Sequence, residues 1–297
     1  MSFSDRHLQE CSQQIPFPTL SKDGFAVLKE FLDQSEVGQI GELVQTAMSR
    51  PHNSNCARPH NTLIPLRWND SIVQRVVLSE CRLQALRDAS NGDDLRWISG
   101  YISSKEPLSP PLWWHQDWWC WNHPVSYRCK PVQIALLCYL TDTTVSNGAL
   151  RVLPGSHLAS AAIHAILPEA HSQDAETLES GNTVMSDLSE QVALELKAGD
   201  AVVLDYRLLH GTHANATAIR RDCVLLSFTP LWCQLPPEIR AHLIGHAALP
   251  VADEAAQASL IFANLLPTFA GEPRNLQLNR NAPSHFKALE ADVVSPH

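Results

Sequence analysis

No two of the eight cysteines (Cys11, Cys56, Cys81, Cys120, Cys129, Cys138, Cys223 and Cys233) form a C-x-x-C pair. That excludes the usual zinc and iron–sulfur frames and leaves the expectation of free thiols, mostly buried as small apolar groups in a reducing compartment. No run approaches the roughly 20 apolar residues that a membrane helix needs. The first residues, MSFSDRHLQECSQQ, are polar and hold no signal-peptide core. A cytoplasmic protein without a membrane partner is therefore expected. Basic residues are also short: 22 Lys and Arg stand against 31 Asp and Glu, for a net charge of -9. A surface of that sign repels phosphate backbones, so no nucleic acid partner is expected, and an acyl-coenzyme A substrate is disfavoured. There is no internal repeat and no low-complexity linker, and 44% hydrophobic with 18% charged residues is ordinary globular composition.

What is present divides along the chain. Val37, Ile40, Val44 and Met48 form a helical stripe over 35–48, and Ile72, Val76, Val77, Leu83 and Leu86 predict helix over 70–90. From Trp97 the texture turns to short β-rich runs, with strands predicted at 97–103, 112–118, 131–140, 149–153, 201–206 and 222–229. Asn147-Gly148, Pro154-Gly155 and Gly199-Asp200 mark turns between them. Many short strands separated by turns point to a sandwich or jelly roll. The polar stretch 156–197 interrupts this pattern and reads as a lid-like insert over one end of the barrel. Helix returns at about 237–246 and 252–264, and the last thirty residues, polar in composition, are expected to be partly loose.

The chemistry centres on WWHQDWW at 113–119. On a strand, His115 and Asp117 point to one face and can grip one metal ion. His210 closes the apolar run in GDAVVLDYRLLHGTHANAT, and Gly211 after it permits a sharp turn. Two histidines and a carboxylate make the facial triad of non-haem iron(II) oxygenases, with open positions opposite. Zinc accepts the same ligands, but the spacing is not that of a zinc hydrolase helix. Arg220 and Arg221 follow; one of them, pointing inward, would receive the far carboxylate of a diacid cosubstrate through its planar fork.

With these residues in hand, the chain resembles the phytanoyl-CoA dioxygenase family. The likeness is clear over roughly 97–230 and fainter over 15–50. It rests on His115-Gln116-Asp117, on TDTTVSNGALRVLPGSH at 141–157, on the GD-x-V-V-L-D run at 199–205 and on HGTHANATAIRR at 210–221. The resemblance implies a mainly β fold with flanking helices, a double-stranded β-helix (jelly roll, cupin-like). The whole of 1–297 would be one domain, with a helical part about 1–95, a core about 96–230 carrying the insert 156–197, and a helical part about 231–297. It implies iron(II), 2-oxoglutarate and O2, with His115, Asp117 and His210 as metal ligands. The family's spacing selects Arg221 over Arg220 for 2-oxoglutarate, with Thr212 beside it. Asn147, Gly148, Pro154, Gly155 and Ser156 would shape the turn near the site. His213 stands where a small residue is usual and becomes a candidate substrate contact. Some relatives are halogenases that lack the carboxylate ligand; the presence of Asp117 argues against that chemistry.

Trp119 and Trp121, just past the ligand pair, are the tryptophans best placed to touch substrate, although a buried tryptophan most often only packs. Gln133 is a candidate cosubstrate contact. His123, Arg128 and Arg207 read as ordinary surface residues. The implied reaction hydroxylates a small apolar or aromatic metabolite and releases succinate and CO2. The same cofactors also support desaturation, cyclisation or epimerisation, and a non-catalytic jelly-roll binding protein is a further alternative. The substrate's identity and the oligomeric state are not legible in the sequence.

Overall fold

The computed structural model describes residues 17–50, 61–179 and 181–289. Cys11 and Cys56 lie outside them. Two antiparallel sheets face each other. The larger runs β1 (Phe25–Leu28), β8 (Ala201–Asp205), β5 (Ile134–Tyr139), β10 (Arg221–Thr229), β3 (Arg96–Lys105) and β2 (Asn61–Leu66). The smaller runs β4 (Leu112–His115), β9 (His210–Thr212), β6 (Leu150–Val152) and β7 (Val192–Leu194). This is the expected jelly roll. All six strand regions read from the sequence are strands, with ends that differ by a few residues. The stretch 1–95, read as helical, also supplies β1 and β2, the two edges of the large sheet.

The large sheet is buried on both faces, which is why its strands read as continuous apolar runs rather than an alternation. On β5, Ile134, Leu136 and Cys138 pack outward beneath the helices. Ala135, Leu137 and Tyr139 face the space between the sheets. β10 divides the same way, with Val224, Leu226 and Phe228 outward and Cys223 and Leu225 inward.

The outward face is covered by α1 (Phe17–Asp23), α2 (Gln34–Met48), α3 (Ser71–Val77) and α4 (Glu80–Ser90). Asp33 caps α2 in a reciprocal capping box with Glu36, and Val37, Ile40 and Val44 are its buried stripe. The helix expected over 70–90 is two helices. Leu78 (φ -80, ψ 47) leaves the helical region, and Ser79 restarts the chain by accepting from the Arg82 N–H. One turn of helix, α5 (Gln173–Glu176), lies in the insert. After β10 come α6 (Pro237–Leu243), α7 (Ala252–Ala255) and α8 (Leu260–Leu265).

Two further expectations are sharpened or corrected. Of the last thirty residues, expected to be partly loose, 290–297 lie outside the described residues, while 267–289 are tied to the core. Asn279 N–H donates to Trp119 O (2.8 Å), Trp121 N–H donates to Asn279 O (3.0 Å), and the Phe286 ring centroid lies 5.0 Å from that of Trp121. A few backbone pairings and one aromatic anchor hold what composition alone left loose. Cys81 is disulfide-bonded, whereas Cys120, Cys129, Cys138, Cys223 and Cys233 are free. The free-thiol reading came from spacing and compartment, and neither reports which sulfurs the fold brings together. Among the described residues no helix is long and apolar enough to cross a membrane.

Candidate metal centre

β4 and β9 pair antiparallel in a register that sets His115 directly opposite His210, with an irregularity between Leu112 and His115. Their ring centroids are 4.2 Å apart. Each ring is held by its Nδ1, which donates to a backbone carbonyl two residues back: His115 to Trp113 O and His210 to Leu208 O, both 3.0 Å. That fixes the tautomer and leaves each Nε2 lone pair for a ligand. Gly211 serves this pairing rather than a turn. A Cβ there would lie 2.8 Å from Leu112 O and 3.0 Å from Trp113 O, so only glycine lets β9 approach β4 this closely.

Asp117 is not on the strand. β4 ends at His115, and the next residues are irregular backbone, tied down where Trp118 N–H donates to Tyr206 O (2.9 Å). The argument from alternate residues on one strand face therefore fails here, yet the carboxylate still reaches the imidazoles. Asp117 Oδ2 lies 3.5 Å from His210 Nε2, and Oδ1 lies 3.8 Å from His115 Nε2. One ligand atom from each of the three falls within 4.8 Å of the others. Two neutral imidazole nitrogens and a carboxylate oxygen at that spacing fit a divalent first-row ion with positions left open.

Behind the three, between the sheets, lies a cavity reached by Arg221, Thr212, Tyr139 and Leu150. Arg221 is buried; its Nη1 donates to Gly148 O (3.0 Å), and its Nε has no partner. Its guanidinium sits 5.4 Å from the Tyr139 ring centroid. Arg220 turns outward to a paired Asp222, at 2.7 Å and 2.9 Å. The buried Thr212 Oγ1 also has no partner. Sequence reading missed Lys105, which is fully buried and faces Arg221 across β3 and β10. Burial, and then the charges of Arg221 and Arg151, pull its ammonium down to about 7. Gly148 (φ +90) makes room for it, since a Cβ there would collide with Lys105 Cδ. The Lys105 ammonium itself donates to Pro110 O (2.7 Å). The buried Arg221 guanidinium and the Thr212 hydroxyl on one small cavity fit a carboxylate from a bound organic acid. A lysine closing a strand whose residues 97–104 are all uncharged is the hint the sequence holds.

The insert covers the outside of β4. Trp114 Nε1 donates to Ser186 O (2.9 Å), and Arg151 reaches Asp187, Leu112 O and Met185 O. Leu112 and Trp113 pack with Ala175, Val184 and Met185. From the same insert, His171 Nε2 comes within 3.3 Å of Asp117 Oδ1, a contact with no signal in the sequence. His213 is buried, with Nδ1 3.7 Å from Asp187 Oδ1. Trp119 lies between Trp118 and His242 (centroids 4.9 and 4.7 Å), and its Nε1 donates to Gln133 Oε1 (2.9 Å). Gln133 in turn donates to Ser227 Oγ (2.7 Å), so its amide braces Trp119. Trp121 packs among Tyr127 and Phe286. His123 pairs with Glu238 and Arg128 donates to Gln234 O, both at the surface. Arg207, read as a surface residue, is fully buried. It pairs with Asp205 (2.7 Å) and donates to the carbonyls of Ser126, Arg128 and Lys130, because the loop before β5 folds over it.

Residues 20–223 match the family model described as phytanoyl-CoA dioxygenase (PhyH). The chain belongs to the phytanoyl-CoA dioxygenase family. The iron/alpha-ketoglutarate-dependent dioxygenase ausU of Aspergillus calidoustus is 27% identical to this family member over 254 residues, 77% of this chain and 76% of the relative. Two solved structures share its fold. One is the alpha-ketoglutarate-dependent epimerase SnoN from nogalamycin biosynthesis (TM-score 0.53, 18% identity, 76% of this chain and 84% of that one). The other is HygX from Streptomyces hygroscopicus with nickel, 2-oxoglutarate and hygromycin B bound (TM-score 0.52, 18% identity, 77% and 88%). This dioxygenase is thus an oxidoreductase that uses iron(II), 2-oxoglutarate and O2.

Proposed function

We propose that His115, Asp117 and His210 hold the iron(II), that Arg221 receives the far carboxylate of 2-oxoglutarate with Thr212 and Lys105 beside it, and that the enzyme hydroxylates a small molecule. The observation that carries this reading is the convergence of the three side chains on one point, next to a cavity lined by the buried Arg221. When bound, the iron supplies O2 activation coupled to oxidative decarboxylation of 2-oxoglutarate to succinate and CO2. The chain's own work is to orient. The Nδ1 hydrogen bonds fix both imidazoles, Arg221 fixes the diacid, and the insert buttresses β4 through Ala175, Val184 and Met185.

The substrate reading changes with the structure. The tryptophans that favoured an apolar or aromatic metabolite are engaged in packing. A cleft of about 250 Å³ opens on His115, lined also by Gln116, His164, Glu169, Arg280 and Ser284. We place a small molecule bearing polar groups there. A second outcome of the same centre is epimerisation, the activity named for one protein of this fold; the product's mass separates it from hydroxylation.

The test is an anaerobic titration with iron(II) and 2-oxoglutarate, followed by the visible charge-transfer band of the chelate. Wild type should develop the band and Asp117→Ala should not. A band of equal strength and equal midpoint in Asp117→Ala would remove the assignment. Substrate candidates are then screened by 2-oxoglutarate-dependent oxygen consumption.

A further inference from the structure

The insert does more than cover the centre. Asp117 stands on irregular backbone past the end of β4, so no strand pairing orients its carboxylate. One of its oxygens, Oδ2, lies toward His210, and the other, Oδ1, lies 3.3 Å from His171 Nε2. The His171 ring also meets His115 edge-on, with centroids 5.8 Å apart and planes at 81°. One side chain of the insert therefore touches two of the three candidate ligands.

The backbone at that residue is strained. His171 has φ +63, a left-handed conformation, at the third position of a turn closed by Ser172 N–H donating to Glu169 O (3.1 Å). Glycine or asparagine suits that position, and another side chain there is held against a cost. The surroundings supply the hold. Ser172 caps α5 by accepting from Ala175 N–H (3.2 Å), and Ala170 and Ala175 are buried on either side. Ala175 packs against Leu112 and Trp113 of the strand that ends in His115. The positive φ would suit glycine, and what histidine adds at this position is a ring set against the Asp117 carboxylate.

We propose that His171 is a positioning residue of the metal centre: it donates a hydrogen bond from Nε2 to Asp117 and so sets the carboxylate for the ion. The inference rests on the reading that His115, Asp117 and His210 hold the metal. It has a consequence for the insert, which becomes part of the centre's assembly: the ion binds at full strength only while residues 169–172 are docked.

The test uses the metal-free full chain and Mn(II) as probe, titrated without oxygen and followed by the electron paramagnetic resonance signal of the free ion. Thermal unfolding of each metal-free variant is measured alongside. His171→Gly should weaken Mn(II) binding by about tenfold to a hundredfold, the usual cost of losing a partner to a metal ligand. Its melting temperature should stay equal or rise, because glycine accepts the positive φ. His171→Asn, which keeps a donor and tolerates the backbone, should recover part of the affinity. Wild-type Mn(II) affinity in His171→Gly would overturn the proposal. So would a melting temperature that falls in step with affinity, the sign of a merely structural role. Failure of the wild-type protein itself to bind Mn(II) would instead strike at the three-ligand reading, and this inference would fall with it.

Discussion

Lys105 on β3 and Arg221 on β10 stand opposite each other in strand register, both withdrawn from solvent, and among the described residues no carboxylate pairs with either. Two like charges that close in a protein interior repel and are poorly solvated, and the Lys105 ammonium has the Pro110 carbonyl (2.7 Å) as its hydrogen-bond acceptor, so the pair is under electrostatic stress. A bound diacid would relieve it.

That stress has a pH signature. The Lys105 ammonium is pulled down to about 7 by burial and by its basic neighbours, whereas in the unfolded chain it lies near its ordinary value of about 10.4. Between those two values the unfolded chain holds a proton that the folded chain has shed, so stability should rise with pH across that window and level off below about 7. Urea midpoints measured from pH 7 to 10 should show the rise in wild type, and Lys105→Met should lack it. Saturating 2-oxoglutarate should flatten the wild-type curve, because the bound dianion restores the proton's affinity.

The two adjacent arginines should separate cleanly. Arg221→Ala leaves a bound carboxylate unpaired in the interior and should raise the 2-oxoglutarate concentration for half-maximal succinate formation by on the order of a hundredfold. Arg220→Ala removes only the partly exposed pair with Asp222 and should change that concentration by less than about twofold. Equal effects from the two would contradict the assignment of Arg221.

Arg207 predicts a stability effect with no direct part in the site. Its guanidinium is fully buried against Asp205 and three carbonyls. Arg207→Met should cost about 3–5 kcal/mol by urea denaturation, since it strands a buried carboxylate whose charge this arginine stabilises. Adding Asp205→Asn should return part of the loss.

Gly148 joins the turn to the cavity. A methyl group there would meet Lys105 and demand φ +90, while the Gly148 carbonyl holds Arg221. Gly148→Ala should lower stability by about 1–3 kcal/mol and weaken 2-oxoglutarate binding in the same variant. Isothermal titration with 2-oxoglutarate and Mn(II) reads the second effect.

The sequence by itself determined whatever is local. The i, i+3, i+4 stripe of α2, the apolar runs of β5 and β10, the Asn147-Gly148 turn, the H-x-D pair and the later His210 and Arg221 all show in neighbouring residues, because periodicity and turn chemistry act over a few positions. The family's motifs drew those fragments together. Only the tertiary structure decided which distant side chains meet. Strand register put His115 opposite His210 and Lys105 opposite Arg221. The docking of the insert brought His171 to Asp117, and the packing of 267–289 turned Trp121 toward Phe286. The physical reason is that a side chain's neighbours across a sheet or under a loop depend on register and docking. Those are set by the whole core at once, and no short stretch of residues encodes them.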